Sequence, residues 1–195
     1  MYKLAQTLSV VEGAHANVAA LRHRDSVYAV AVFADDKRVV SGSRDGTVKI
    51  WDAESGQERC TLSGHSRSVR AVAVFPDGTK VVSGSRDNTV KIWDTESEQE
   101  RCTLSGHSDW VNAVAVFPDS TCIVSGSDDR TVKIWNAESG MERCTLSGHS
   151  GCVRAVAVFA DGTKVVSGSD DRTVKIWNAE SGDLLRTMTG HIDWM

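Results

Sequence analysis

The sequence is poor in proline, with two in 195 residues, and holds no apolar run near the roughly eighteen residues that cross a bilayer as a helix. The first scarcity separates it from collagen-like and proline-rich disordered chains; the second gives no membrane helix to expect. Positive charge is short as well: 22 Lys and Arg stand against 26 Asp and Glu, for a net charge of -4. Nucleic acids and anionic membranes are held by clustered cations, so no general affinity for either is expected. The five cysteines are odd in number and ill suited to a simple disulfide framework. With no Cys-x-x-Cys pair and no clustered Cys/His spacing, neither a metal site nor a cofactor is expected. Cys60, Cys102 and Cys144 recur every 42 residues as copies of one side chain, which reads as reduced thiols in the cytoplasm, with the nucleus as the other compartment. Lys3, Leu4 to Val11 and Ala14-His15-Ala16 loosely mimic a secretion signal, but Gln6, Thr7 and Ser9 interrupt the stretch and Glu12 follows it.

What is present is a repeat. Trp51, Trp93, Trp135 and Trp177 are spaced by 42, as are Phe33, Phe75, Phe117 and Phe159 and the five histidines from His23 to His191. A period of about 40 to 45 residues marks the blades of a propeller. Each unit divides into four short strands: in the second, a is Val69 to Phe75, b is Lys80 to Ser85, c is Thr89 to Trp93 and d is Glu100 to Leu104. A Pro-Asp-Gly turn precedes b, and a tight Asp87-Asn88 turn, Asp45-Gly46 in the first unit, precedes c. Strand a is apolar on both alternating faces and is expected to be covered on both. Apolar content falls toward d, where Glu100 and Arg101 suit a rim strand.

Gly-His opening a unit and Trp-Asp (Trp51-Asp52, Trp93-Asp94) or Trp-Asn (Trp135-Asn136, Trp177-Asn178) closing strand c resemble the WD40-repeat family over nearly the whole chain. The resemblance implies an all-β, WD40-type β-propeller fold. It also implies a hydrogen-bonded tetrad in each blade, at His23, Ser41, Asp45 and Trp51; His65, Ser83, Asp87 and Trp93; His107, Ser125, Asp129 and Trp135; His149, Ser167, Asp171 and Trp177. Gly42, Gly84, Gly126 and Gly168 lie in Ser-Gly-Ser triplets, unlike a phosphate loop, and read as room for packing near the tetrad.

The repeat gives one domain with four full four-stranded blades, at 22–63, 64–105, 106–147 and 148–189. Residues 1–21 read as a degenerate c-d hairpin and 190–195 as a truncated fifth unit. Four blades form a partial or open propeller, whose apolar flanks invite self-association. Pairing of two copies into an eight-bladed ring, strained closure, or membership of a longer chain would each cover those flanks, and the cut within the last strand a favours the longer chain.

The blades differ mainly in loops that the resemblance places on a partner-docking top face. After Gly-His stand Ser26, Ser68, Trp110, Cys152 and Trp194; after the first valine of strand a, Tyr28, Arg70, Asn112 and Arg154; before the tetrad aspartate, Arg44, Arg86, Asp128 and Asp170. Arginines in the first two blades and aspartates in the last two predict a basic and an acidic side. Four copies of one Ser-His-Asp set, without an oxyanion hole, point away from catalysis. A scaffold or recognition module binding proteins or peptides is therefore expected; the alternative is the ligand-sensing tail of a nucleotide-binding signalling protein.

Overall fold

The computed structural model describes residues 22–190. The expected leading hairpin, and the last unit from residue 191 onward with Trp194, lie outside the described residues. The described chain is a run of sixteen six-residue strands in four antiparallel sheets, with no helix among the described residues. The first sheet holds β1 (Val27–Val32), β2 (Arg38–Ser43), β3 (Thr47–Asp52) and β4 (Glu58–Ser63); the second β5 (Val69–Val74), β6 (Lys80–Ser85), β7 (Thr89–Asp94) and β8 (Glu100–Ser105). The third holds β9 (Val111–Val116), β10 (Cys122–Ser127), β11 (Thr131–Asn136) and β12 (Glu142–Ser147); the fourth β13 (Val153–Val158), β14 (Lys164–Ser169), β15 (Thr173–Asn178) and β16 (Leu184–Thr189). Each sheet is a meander in chain order, because every connection is a short turn that can join only antiparallel neighbours.

Sheets stack side by side, and the core is a series of inter-sheet layers. Phe33, Val40, Val48, Ile50 and Leu62 of the first blade pack on Val69, Val72, Val81 and Trp93 of the second, and the pattern recurs at the next two boundaries. The Ser-Gly-Ser glycine fits this layer, and its role differs from the expected one. A Cβ on Gly84 would stand 2.7 Å from Val111 Cγ1 and 3.0 Å from Val114 Cγ1, so the glycine is a socket for the next blade's valines rather than space beside its own tetrad. Gly42 receives Val69 and Val72 in the same way, and Gly126 receives Val153 and Val156. Each valine so seated contributes roughly 1.5–3 kcal/mol.

Burial does not peak at the first strand of each blade. Val81 and Val82 in β6 are both fully buried, so the second strand is the one sandwiched between neighbouring sheets. β9 is half-buried apart from Val111, and β1 leaves Val30 67% exposed. The arc is not closed, so the inner edge stays wet and the outer face of β1 meets no further blade among the described residues.

Two bulges recur in every blade. Between the first and second strands the register skips Tyr28, Arg70, Asn112 and Arg154. Between the third and fourth it skips Arg59, Arg101, Arg143 and Leu185. A bulge leaves its extra residue unpaired and turns its side chain out of the pleat. The four residues at the first bulge thereby reach the edge where the first strands begin and the second strands end.

Candidate functional site

That edge is anchored from beneath by a hydrogen-bonded chain in each blade. In the second, Trp93 Nε1 donates to Ser83 Oγ at 2.7 Å, Ser83 Oγ lies 2.8 Å from His65 Nε2, and His65 Nδ1 lies 2.8 Å from Asp87 Oδ2. The carboxylate only accepts, so Nδ1 carries the proton and Nε2 accepts from the serine hydroxyl. The third and fourth blades repeat these contacts at 2.7–2.8 Å through Trp135, Ser125, His107 and Asp129, and through Trp177, Ser167, His149 and Asp171.

The first blade differs. His23 Nε2 is 2.6 Å from Ser41 and Trp51 Nε1 donates to Ser41 at 2.7 Å, but His23 Nδ1 is nearest Thr47 Oγ1 at 3.0 Å, with Asp45 Oδ2 at 3.4 Å. Arg22 stands where the other blades have glycine. At Gly64, Gly106 and Gly148 a Cβ would lie 3.0–3.3 Å from the ring of Trp93, Trp135 or Trp177, so a larger residue there requires its neighbours to give by a few tenths of an ångström.

Burial alone would raise the Asp45 carboxyl, but hydrogen bonds from Thr47 and the Arg24 N–H outweigh it and hold the group at about 2. Asp87, Asp129 and Asp171 are likewise held well below the carboxylate range, by their histidine and threonine partners against burial. Burial pushes the His23 imidazole down despite the nearby Asp45.

A second chain escaped sequence reasoning. Lys49, Lys91 and Lys133 are nearly buried in the third strands, and each Nζ bonds a glutamate and a threonine of the fourth: Glu58 and Thr61, Glu100 and Thr103, Glu142 and Thr145. The signal was available as a lysine repeating within an otherwise apolar Val-Lys-Ile-Trp run. The fourth blade has Leu184 in place of the glutamate, and Lys175 keeps only Thr187 at 2.9 Å.

On the edge above, the variable residues pair with one another. Arg70 Cζ lies 4.7 Å from the Tyr28 ring centroid and Arg86 Cζ 4.2 Å from that of Trp110. Arg44 Nε is 3.6 Å from Asp25 Oδ2. Asn112 Nδ2 donates to Asp128 Oδ1 at 2.7 Å and to Val153 O at 3.1 Å. Arg154 spans Asp128 and Asp170, at 2.6 Å from each. Beside them the Cys152 thiol is raised by burial and by Asp128. The aspartates are thus tied to an arginine, and the expected acidic side is partly neutralised, two carboxylates sharing one guanidinium.

The family model described as WD domain, G-beta repeat matches residues 16–52, 56–94, 98–136 and 140–178, most of the chain. The chain belongs to the WD40-repeat family. The units 56–94, 98–136 and 140–178 begin ahead of a blade's last strand and end with the next blade's third: 56–94 runs from β4 through β7. Each unit therefore staples two adjacent blades. Similar over single-repeat lengths are the nuclear distribution protein PAC1-2 of Postia placenta, 49% identical over 51 residues, and the nuclear distribution proteins nudF 2 of Aspergillus clavatus and nudF of Aspergillus flavus, 43% and 48% identical over 44 residues. These matches cover 26%, 23% and 23% of this chain and 12%, 10% and 10% of those proteins, so the chain aligns with about a tenth of each. Each shared stretch is about as long as one 42-residue unit.

The WD40 signature also has a local reason in this structure. Asp52 and Asp94 accept the N–H groups of Ser55 and Ser97 on Oδ1 at 2.9 and 2.8 Å, and Asn136 and Asn178 accept those of Ser139 and Ser181 at 2.7 and 2.9 Å. Aspartate and asparagine alternate after the tryptophan because the turn needs only a side-chain acceptor.

Proposed function

We propose that this WD40 chain is a protein-interaction scaffold or recognition module, with its tetrads as structural clamps and its docking face at the edge formed by Tyr28, Arg44, Arg70, Arg86, Trp110, Asn112, Asp128, Arg154 and Asp170. One observation carries the reading. The first-strand bulge lifts a residue that varies between near-identical blades onto the same edge in all four. The frame beneath repeats while the residues above it change, which suits recognition of a macromolecule rather than one repeated reaction. Tyrosine, tryptophan and arginine are the types that most often anchor interfaces. A catalytic reading of the Ser-His-Asp sets meets buried hydroxyls: Ser83 and Ser125 are wholly covered, and each oxygen is held by a tryptophan and a histidine.

The test uses a peptide selected on this chain from a random display library. Trp110→Ala, shown folded by an unchanged melting curve, is expected to weaken that peptide at least about tenfold, in the range of an interface anchor. Undiminished binding would place the docking surface elsewhere.

A further inference from the structure

The upper edge of the third and fourth blades contains an ion-paired cluster, with the Arg154 guanidinium between the carboxylates of Asp128 and Asp170. Two blades earlier the same three seats hold Arg70, Arg44 and Arg86. The backbone seats match: Arg44 and Arg86 donate their N–H groups to Ser26 O and Ser68 O at 2.8 and 2.9 Å, as Asp128 and Asp170 donate to Trp110 O and Cys152 O at 2.9 Å. Arg70 and Arg154 occupy the same bulge. Where Arg154 has aspartates at the two flanking positions, Arg70 has arginines at both.

The three side chains find other partners. Arg70 swings over Tyr28, Arg86 over Trp110, and Arg44 leans toward Asp25. Among the described residues neither Arg70 nor Arg86 has a carboxylate within 4.0 Å, and the buried Arg86 Nε has no hydrogen-bond partner. A groove of about 320 Å³ runs beside Arg86 and Trp110 and is lined also by Arg67. Its carboxylates are engaged, Asp87 with His65 and Thr89, and Asp109 with the Trp110 N–H.

We infer that Arg44, Arg70 and Arg86 form an anion-binding site, and that its ligand is an oxyanion-bearing segment of a docked peptide, either a phosphorylated side chain or adjacent carboxylates. The inference rests on the docking-face reading and names the chemistry of its partner. Asp128 and Asp170 around Arg154 show how oxyanions fill these seats when the chain supplies them itself. Guanidiniums present planar donor pairs that match carboxylate and phosphate oxygens, and a phosphate monoester brings close to two charges and three acceptors. Tyr28 and Trp110, released from their arginines, offer ring faces to the flanking peptide.

The test is fluorescence anisotropy with three labelled peptides of identical flanks, centred on phosphoserine, on Glu-Glu and on Ser-Ser. At least one charged probe is expected to bind saturably and to weaken with added salt, while the neutral probe does not bind. Arg70→Gln, with an unchanged melting curve, is expected to weaken the charged probe at least about tenfold. Arg143→Gln on the opposite edge is expected to leave it unchanged. Phosphoserine binding falls between about pH 7.5 and pH 5 as the phosphate takes up its second proton, and Glu-Glu binding holds, which separates the two sources. Equal binding of the neutral probe, or full affinity in Arg70→Gln, would overturn the site. If neither charged probe binds while the library peptide still depends on Trp110, the anion site falls and the docking face stands. Arg70-dependent charged binding with a Trp110-independent library peptide gives the reverse.

Discussion

At the scale of single residues, the protein is organised by satisfying buried polar atoms. Each indole N–H, serine hydroxyl and imidazole nitrogen in a clamp has its partner within the blade. Replacing Trp93 by phenylalanine keeps most of the apolar body and removes the donor to Ser83. The expected cost is about 1–3 kcal/mol, read in a thermal melt as a midpoint lower by several degrees. An unchanged midpoint would mean that the chain of bonds is energetically idle. The clamps also set an acid dependence. Asp45, Asp87, Asp129 and Asp171 are held below their ordinary 3.8, so their contribution is complete above that value and is lost as pH falls through it, toward about 2 for Asp45. His23 is held below its ordinary 6.5, so charging it costs stability from roughly pH 6.5 downward. Chemical denaturation across pH 7 to 2 is expected to show a shallow decline first and a steep one below about pH 4.

At the scale of strands and turns, the repeat is held to a common geometry even where residues do not suit it. The turn between second and third strands puts its last residue in the left-handed region: Gly46 at φ 84°, Asn88 at 70°, Arg130 at 71° and Arg172 at 66°. Glycine and asparagine accept that conformation, whereas arginine is strained by roughly 1 kcal/mol. Arg172→Gly is therefore expected to raise the melting midpoint by about 2–4 °C. The glycine sockets allow a paired comparison. Gly84→Ala drives a Cβ to 2.7 Å from Val111 Cγ1 and is expected to cost about 1–3 kcal/mol. At Gly168 the nearest atom is Ala155 Cβ at 3.9 Å, so Gly168→Ala is expected to be near neutral in the same melt.

At the scale of the whole molecule, the described arc ends in two complementary flanks. Val27 and Val30, counterparts of the seated Val69 and Val72, are 50% and 67% exposed, and among the described residues no valine sits in the Gly168 socket. Phe159, Leu184, Leu185 and Met188 of the same blade stand exposed as well. Apolar faces of this shape associate with their complement. Light scattering on this chain is expected to show concentration-dependent assembly, and Val30→Asp to reduce it. A monodisperse monomer at all concentrations would mean that the flanks are covered from within the chain.

Much of this was legible in the residues. A 42-residue period, β-branched runs and turn dipeptides determined the four-stranded unit, its antiparallel meander and its strand bounds to within a residue or two, because each depends on local conformational preference and on contacts that repeat with the chain. The members of each clamp were implied by the WD40 resemblance, not by spacing alone. Tertiary structure alone decided which strand is buried on both faces, that the Ser-Gly-Ser glycine receives the neighbouring blade, that His23 lies farther from its aspartate than the later histidines do, and that Arg154 bridges two aspartates while Arg70 stacks on Tyr28. These depend on distances between side chains of different blades, which spacing along one chain does not encode.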